Sequence, residues 1–354
     1  MKMKPVKLML MAITLLSAVF VASCSDDDPI VEGDKTELSA AISEIQDILA
    51  NAEEGILEGR YQAGSKAELQ AAVDAALLVV ADPKAEQAKV NSALANLTTA
   101  LEAFEAKVVE PIDVANLVGR WRFDEGTGTT AGDDSDNGFD GTFKTGHADW
   151  GAGFPEWTTD RHGNAGKAIQ FDEGANIEVP YNTALNPTSK ISISVWVKAD
   201  EIKAGNRFIG LHSWIGYKFE LQSVNRAFLS IGKPDGTTYD RDSELDLPIN
   251  EWHHLVATFG DGNVQFYIDG DLGPKQWNDT PGEAKSISGT PYNLVFGQDF
   301  PTDKYAATDA NFDNDKIIPL AWGGFFHGSI DEIRIYKSVL SASQVASIYA
   351  AEKP

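Results

Sequence analysis

The sequence predicts a mainly β protein, an antiparallel β-sandwich jelly roll preceded by a small three-helix bundle. Three observations carry this. Composition divides the 354 residues at Glu110-Pro111: all eight Trp, all six His and most of the Gly lie beyond that point. Before it, Asp34 to Val108 contains no Trp and a single Pro, and is rich in Ala, Leu, Glu, Gln and Lys, which favour helix. After it, apolar residues recur at every second position. The stretch Glu251 to Gly270 is the clearest case, since Leu255, Ala257 and Phe259 alternate with Val256 and Thr258. Gly260-Asp261-Gly262-Asn263 then breaks the run with residues that tolerate positive φ. Val264, Phe266 and Ile268 alternate in turn with Gln265, Tyr267 and Asp269, up to a second hairpin-type turn at Asp269-Gly270. One face of this hairpin is apolar and must lie on another layer.

Taken in order, Lys2, Lys4 and Lys7 precede an apolar run from Leu8 to Ala22. A charged start followed by so short a run reads as a signal peptide over residues 1–23, not as a membrane span. The run ends Val21-Ala22-Ser23-Cys24, which resembles the bacterial lipobox. That resemblance implies acylation of Cys24, the only cysteine, whose solitude also excludes an internal disulfide framework. Ser25-Asp26-Asp27-Asp28 opens an acidic tether over residues 24–35. It resembles the surface-export tag of lipoproteins in glycan-foraging Gram-negative bacteria, and on charge alone it reads equally as a solvated spacer. Together these resemblances imply a lipid-anchored outer-membrane protein exposed at the cell surface, in contact with membrane through the anchor alone.

Residues 36–109 read as three amphipathic helices. Leu38, Ile42, Ile45 and Leu49 keep helical spacing, and Asn51 to Gly59 is a break. Ser65 followed by Glu68 has the form of a capping box, with Leu69, Val73, Ala76, Leu77 and Val80 as the stripe behind it. Pro83 starts the third helix, whose apolar face is Val90, Leu94, Leu97, Leu101 and Phe104. Short loops between such helices predict a bundle. Gly59-Arg60-Tyr61 through Ser65, Leu69, Val90, Leu97 and Leu101 resembles FIVAR-type modules, which implies a spacer or stalk. The segment has no His and only scattered carboxylates, a composition without chemistry.

Residues 112–354 suit one large sandwich. Leu117 to Asp124 is an alternating first strand, and Gly132 to Gly138 is an Asp/Ser/Asn/Gly loop. Gly166 to Asp172, Ile177 to Pro180, Ile191 to Lys198, Arg207 to Leu211, Tyr217 to Leu221, Ala227 to Gly232, Asn293 to Gly297 and Gly328 to Tyr336 read as further strands. Ser341 caps a short terminal helix. Trp121-Arg122-Phe123-Asp124-Glu125-Gly126, Ala168-Ile169-Gln170-Phe171, Ile193-Ser194-Val195-Trp196-Val197, the hairpin above and Gly328-Ser329-Ile330-Asp331-Glu332-Ile333-Arg334-Ile335-Tyr336 occur in the order found in laminin-G-like domains. The chain from about Leu117 onward therefore resembles that family of the concanavalin A-like lectin/glucanase superfamily. The resemblance implies two sheets packed face to face, with first and last strands adjacent. It says little about function, because this fold hosts lectins, hydrolases and adhesion modules.

Composition narrows the function. The formal charge of −24 argues against nucleic acid as a partner, since phosphate binding draws on clustered Lys and Arg. No catalytic pair is legible, and the reading is not an enzyme. A retaining glycosidase needs two carboxyls roughly 5 Å apart on one strand face. Asp331 and Glu332 are adjacent and should face opposite ways, while Asp269 and Asp271 flank a turn glycine. His253 and His254 likewise should face opposite ways, as packing or hydrogen-bonded residues and not as a metal pair. Trp214, Tyr239, Trp277, Tyr305 and Trp322 stand in Gly/Asn/Asp-rich segments. Each either stacks a sugar ring or plugs an end of the sandwich. The candidate ligand set is Trp214, Tyr239, Trp277 and Trp322, with Asn278 and Asp279 orienting hydroxyls, and the partner expected is a neutral polysaccharide or glycan. The resemblance further implies a structural Ca²⁺ where first and last strands meet, with Asp124, Asp133, Asp136, Asn137 and Asp331 as oxygen donors. An Asx-rich turn with solvated carboxylates is the other reading of the same residues. The function expected is non-catalytic glycan capture at the cell surface. A protein-binding adhesion or structural module, and a glycoside hydrolase with an unrecognised site, are the alternatives.

Overall fold

The computed structural model describes residues 31–55, 59–109, 111–278, 282, 291–306 and 318–354. Cys24 and Asp279 fall outside these, as do the signal-peptide residues and most of the acidic tether.

Three helices come first: α1 (Thr36–Asn51), α2 (Ser65–Ala81) and α3 (Gln87–Glu105). The residues spaced three and four apart do what that spacing dictates. Leu38, Ile42, Ile45 and Leu49 close on Leu69, Val73 and Ala76 and on Val90, Leu97, Leu101 and Phe104 in one buried cluster. Tyr61 stacks on Phe104 with ring centroids 4.0 Å apart. Three local expectations fail. Helix α3 begins at Gln87 and not at Pro83, which lies in the preceding turn. Ser65 is the first helical residue and not the cap: its hydroxyl donates to the Gln62 carbonyl. The Glu54 carboxylate, brought in from the preceding segment, instead accepts the Lys66 N–H at 2.7 Å, and Glu68 pairs with Lys107. Leu77 is turned to solvent, 40% exposed, so the α2 stripe is narrower than its sequence suggests.

Among the described residues eighteen strands follow. In chain order they are β1 (Leu117–Trp121), β2 (Thr130–Ala131), β3 (Gly141–Lys144), β4 (Glu156–Thr159), β5 (Ala165–Phe171), β6 (Asn176–Val179), β7 (Lys190–Ala199), β8 (Asn206–Leu211) and β9 (Tyr217–Gln222). Then come β10 (Arg226–Gly232), β11 (Thr238–Asp246), β12 (His253–Gly260), β13 (Asn263–Ile268), β14 (Asp271–Trp277), β15 (Leu294–Phe296), β16 (Tyr305–Ala306), β17 (Ile318–Pro319) and β18 (Gly328–Tyr336). A terminal helix α4 (Ala342–Glu352) carries the predicted Ser341 cap, with Gln344 completing a capping box. The first sheet runs β14-β13-β12-β7-β18-β5-β4, with β1 also paired to β18. The second runs β11-β10-β9-β8-β15-β6-β3-β2. Their pairings are antiparallel, and β16 and β17 form a small parallel pair apart from both.

The inner faces make the main core. Trp121, Phe123, Phe171, Phe208, Phe219, Phe259, Phe266 and Phe296 all have no exposed surface. Trp121 meets Phe296 edge-on at 4.8 Å, joining the two sheets. Strict alternation in β7 and β12 sends Ile193, Val195, Leu255, Ala257 and Phe259 inward. The outer face of the first sheet is not solvated either, because α4 lies on it. Val256, Tyr267, Tyr336, Leu340, Val345 and Ile348 form a second apolar cluster there.

A bulge in β18 overturns one expectation. The register slips between Asp331 and Arg334, and Glu332 has φ 48°. Ile330, Ile333 and Ile335 all reach the core, so two residues instead of one are spare between the first two of them. Asp331 and Glu332 therefore both join the charged layer on the outer face and do not point to opposite sides. Asp331 pairs with Arg161, while Glu332 pairs with Arg120, Arg122 and Arg334.

Candidate functional site: an aromatic corner over a buried charge cluster

The outer face of the second sheet is the place where polar chemistry and open aromatic surface meet. Alternation in β8 and β9 buries Phe208, Phe219 and Leu221 in the core and turns Arg207, Lys218 and Glu220 outward. The chain after β15 crosses over these residues and contributes Asp299 and Tyr305. Arg207 is the hub. Its Nε donates to Glu220 Oε2 at 3.0 Å, and its Nη1 donates both to Asp299 Oδ2 and to the Trp322 carbonyl, the latter at 2.7 Å. Asp299 also accepts the Tyr305 hydroxyl and the Gly324 N–H. Lys218 Nζ adds a contact to Glu220 at 3.3 Å.

These side chains are deeply placed: Arg207 is 12% exposed, Lys218 7%, Glu220 3% and Asp299 0%. Burial works against the Arg207 charge, but Asp299 and Glu220 outweigh it and hold the guanidinium above its ordinary range. Burial and the neighbouring Asp299 push the Tyr305 hydroxyl well above the usual phenol range, so it stays protonated and donates. Two cations face two carboxylates, and the cluster is locally neutral. Glu220 and Asp299 share one guanidinium. A glycosidase pair instead needs carboxyls free to flank a bond, and both of these are engaged by Arg207.

Two of the predicted aromatics stand on this cluster. Trp214 lies in the turn between β8 and β9, where His212 has φ 51° and Ser213 φ 20°. Backbone in the left-handed region is disfavoured for such residues and persists where surrounding structure enforces it. Phe300 backs the Trp214 ring at 5.6 Å, and the Arg207 guanidinium lies 5.9 Å from it. Trp322 ends a short helical turn, Leu320–Trp322, and is followed by Gly323 and Gly324. Its ring centre lies 6.4 Å from that of Trp214, with the planes at 82°, and Trp322 is 49% exposed. The two indoles make an open corner. Tyr292, Phe300, Tyr305 and Ile318 form the small apolar cluster beneath, with Trp150, Trp214 and Leu320 packed on it.

The other candidates lie elsewhere. Tyr239 is on β11, 2% exposed, with its ring 5.2 Å from Phe259, so it offers no open face. Trp277 ends β14 and packs against the core. Its indole N–H donates to the Asp242 carbonyl at 3.0 Å, and the cations of Arg241 and Lys275 sit 4.9 and 4.4 Å from its ring centre. Both residues belong to strands and not to loops. Asn278 is exposed just beyond β14, the edge strand of the first sheet. Tyr305 is part of the cluster through its hydroxyl. Arg207, Glu220, Asp299 and the backing Trp150 carried no sequence signal as site residues.

The five oxygen donors expected around calcium do not gather. Asp133 is the centre of an Asx turn, its carboxylate accepting the N–H groups of Arg120, Ser135 and Phe139. The Asn137 amide nitrogen donates to the Leu117 and Val118 carbonyls, and Asp136 is exposed with φ 65°. Asp124 pairs with Arg122 and Lys167. Asp331 pairs with Arg161, which also donates to the Glu352 carbonyl of α4. A shallow 340 Å³ depression is lined by Arg122, Asp124, Glu125, Gly132, Asp133 and Asp134, with the arginine among the acids. Among the described residues no group of three or more His, Cys, Asp or Glu is arranged to hold a metal, and the expected set does not fit one. His253 and His254 do face opposite ways. His253 Nδ1 pairs with Asp269 at 2.9 Å, and His254 Nε2 pairs with Ser194 Oγ at 2.8 Å with no surface exposed.

Residues 171–346 match the Laminin_G_3 family, described as the concanavalin A-like lectin/glucanases superfamily, so this stretch carries a concanavalin A-like domain. No curated protein matches the chain. Among solved structures, domain 4 of AbnA, a GH43 extracellular arabinanase from Geobacillus stearothermophilus in complex with arabinotriose, is similar at 23% identity and TM-score 0.48, over 66% of this chain and 98% of that one. The binding domain of Paraclostridial Mosquitocidal Protein 1 is similar at 17% identity and TM-score 0.46, over 67% of this chain. The binding domain of botulinum neurotoxin serotype G follows at 16% and 0.45, over 67%. This chain spans about half of each toxin domain, 52% and 51%.

Proposed function

We propose that this protein is a surface-anchored, non-catalytic lipoprotein that captures a neutral glycan on the Trp214–Trp322 corner. The observation that carries the reading is the Trp322 indole, half-exposed and set nearly perpendicular to Trp214 above a charge cluster that sums to zero. Sugar rings stack on indole faces. A platform without net charge, on a segment of 35 acidic against 20 basic residues over 111–354, favours an uncharged polymer over an anionic one. The helices of residues 36–109 then act as a spacer between anchor and binding face, and the lipid on Cys24 is the anchor. Glu220 and Asp299 are both occupied by Arg207, which supports binding without turnover.

The test is a broad glycan array probed with the mature chain and with Trp322→Ala. Loss of one stacking indole is expected to cost about 1–3 kcal/mol of affinity with an unchanged melting temperature. Equal binding by the variant would place the site elsewhere. A parent that binds nothing on the array leaves the adhesion reading.

A further inference from the structure

We infer that Arg207 is the positioning residue of the aromatic corner, a pin that holds the Trp322-bearing loop onto the second sheet. This inference rests on the binding reading above for its consequence, but not for its geometry. Arg207 reaches both halves of the corner and the sheet beneath. Its Nη1 donates to the Trp322 carbonyl, its guanidinium lies by the Trp214 ring, and its Nε holds Glu220 on β9. Asp299 closes the ring of contacts from the same loop side, accepting from Arg207, Tyr305 and the Gly324 N–H. The loop is seated closely as well. A β-carbon on Gly324 would stand 2.4 Å from the Gly205 carbonyl oxygen and 3.0 Å from Arg207 Cδ, and one on Gly323 would stand 2.3 Å from the Tyr305 ring. Two successive glycines let the backbone come down onto the arginine. Lysine could not reproduce this, since one ammonium cannot serve two carboxylates and a carbonyl at fixed fork geometry.

Without the pin, Trp322 would keep its side chain but lose its angle to Trp214. A ligand that stacks on both rings would then have to order the loop itself, which lowers affinity without removing any contact group. The predicted signature is a loop that opens while the sandwich stays closed.

Hydrogen exchange resolved by mass spectrometry tests this on the whole mature protein, with Arg207→Lys and with the charge-balanced double variant Arg207→Met/Asp299→Asn, in which Lys218 keeps its partner Glu220. The double variant guards against unfolding from a charge left buried and unpaired. Exchange in the segment around Trp322 to Gly324 is expected to rise about tenfold or more, the scale of a lost charge-assisted hydrogen bond. Exchange in β12 and β13 is expected to hold. Any neutral glycan found on the array should bind at least tenfold more weakly to both variants. Unchanged exchange at Gly324 overturns the pin, and so does raised exchange with undiminished glycan affinity. Raised exchange in a protein whose parent binds no glycan supports the pin and refutes the binding reading instead.

Discussion

His254 allows a prediction whose size follows from its surroundings. The imidazole has no exposed surface, packs against Trp196 and against Tyr349 of α4, and bonds Ser194 through Nε2. Its Nδ1 has no hydrogen-bond partner among the described residues. Burial, reinforced by Arg334 and Arg161 and opposed by Asp269 and Glu332, depresses its pKa from 6.5 to about 3. A base depressed in the folded state contributes stability that is present above pH 6.5 and is lost as pH falls toward 3, because only the unfolded chain takes up the proton in that window. Each pH unit in the window removes about 1.4 kcal/mol, so about 2 kcal/mol has gone by pH 5 and about 5 kcal/mol by pH 3. The perturbation is His254→Gln, which can still reach Ser194 and cannot titrate. Urea denaturation of both proteins at pH 7 and pH 5, with equal m-values, isolates the contribution. The parent should lose about 2 kcal/mol more than the variant between the two pH values. Parallel losses, or an imidazole NMR titration centred near 6.5, would refute the argument.

Three further outcomes are expected. Cys24→Ala should move the protein from the membrane to the soluble fraction, since the acyl chains on that residue are the proposed anchor; continued fractionation with membranes sinks the lipobox reading. Glu352→Ala should destabilise the sandwich by about 2–4 kcal/mol in thermal or chemical melting, because it strips Arg334 of one buried partner and Trp196 of its indole acceptor; a change below about 0.5 kcal/mol would show that Glu332 alone suffices for Arg334. EGTA should leave the melting temperature where it is, since Asp124, Asp133 and Asp331 already have protein partners; a calorimetric shift of several degrees would mean that the loop rearranges around an ion.

The fold was legible wherever one periodicity ran uninterrupted. Ile191 to Lys198, Leu255 to Ile268 and the α1 stripe each repeat a single spacing, and each became the element that the spacing requires. Strands β11 and β14 were not legible for the opposite reason. Asp240, Asp242, Glu244 and Asp246 look like loop, and β14 contains Gly273 and Pro274, yet both are edge strands, where solvated charges and proline are tolerated. That is why Tyr239 and Trp277 passed for loop aromatics. In β18 the hint was present: Ile330 and Ile333 are three apart while Ile333 and Ile335 are two apart, the mark of one inserted residue. The Arg207 hub left no such mark. It joins residues 13, 92 and 115 positions apart, and no local pattern encodes a contact of that range.

The place of β18 has a consequence for how the chain reaches its native state. This last strand is the seam of the first sheet: its start pairs with β5, its end with β1, and its far side runs along β7. Until residues 328–336 exist, the first sheet is two separate pieces, β14-β13-β12-β7 and β5-β4, with β1 attached to neither and apolar edges open between them. Local hairpins can form as they are synthesised, but the contacts that join them span most of the sandwich and incur their loop-closure cost together. The sandwich therefore closes only once its last strand has been made, and until then both pieces of the first sheet carry an unpaired edge.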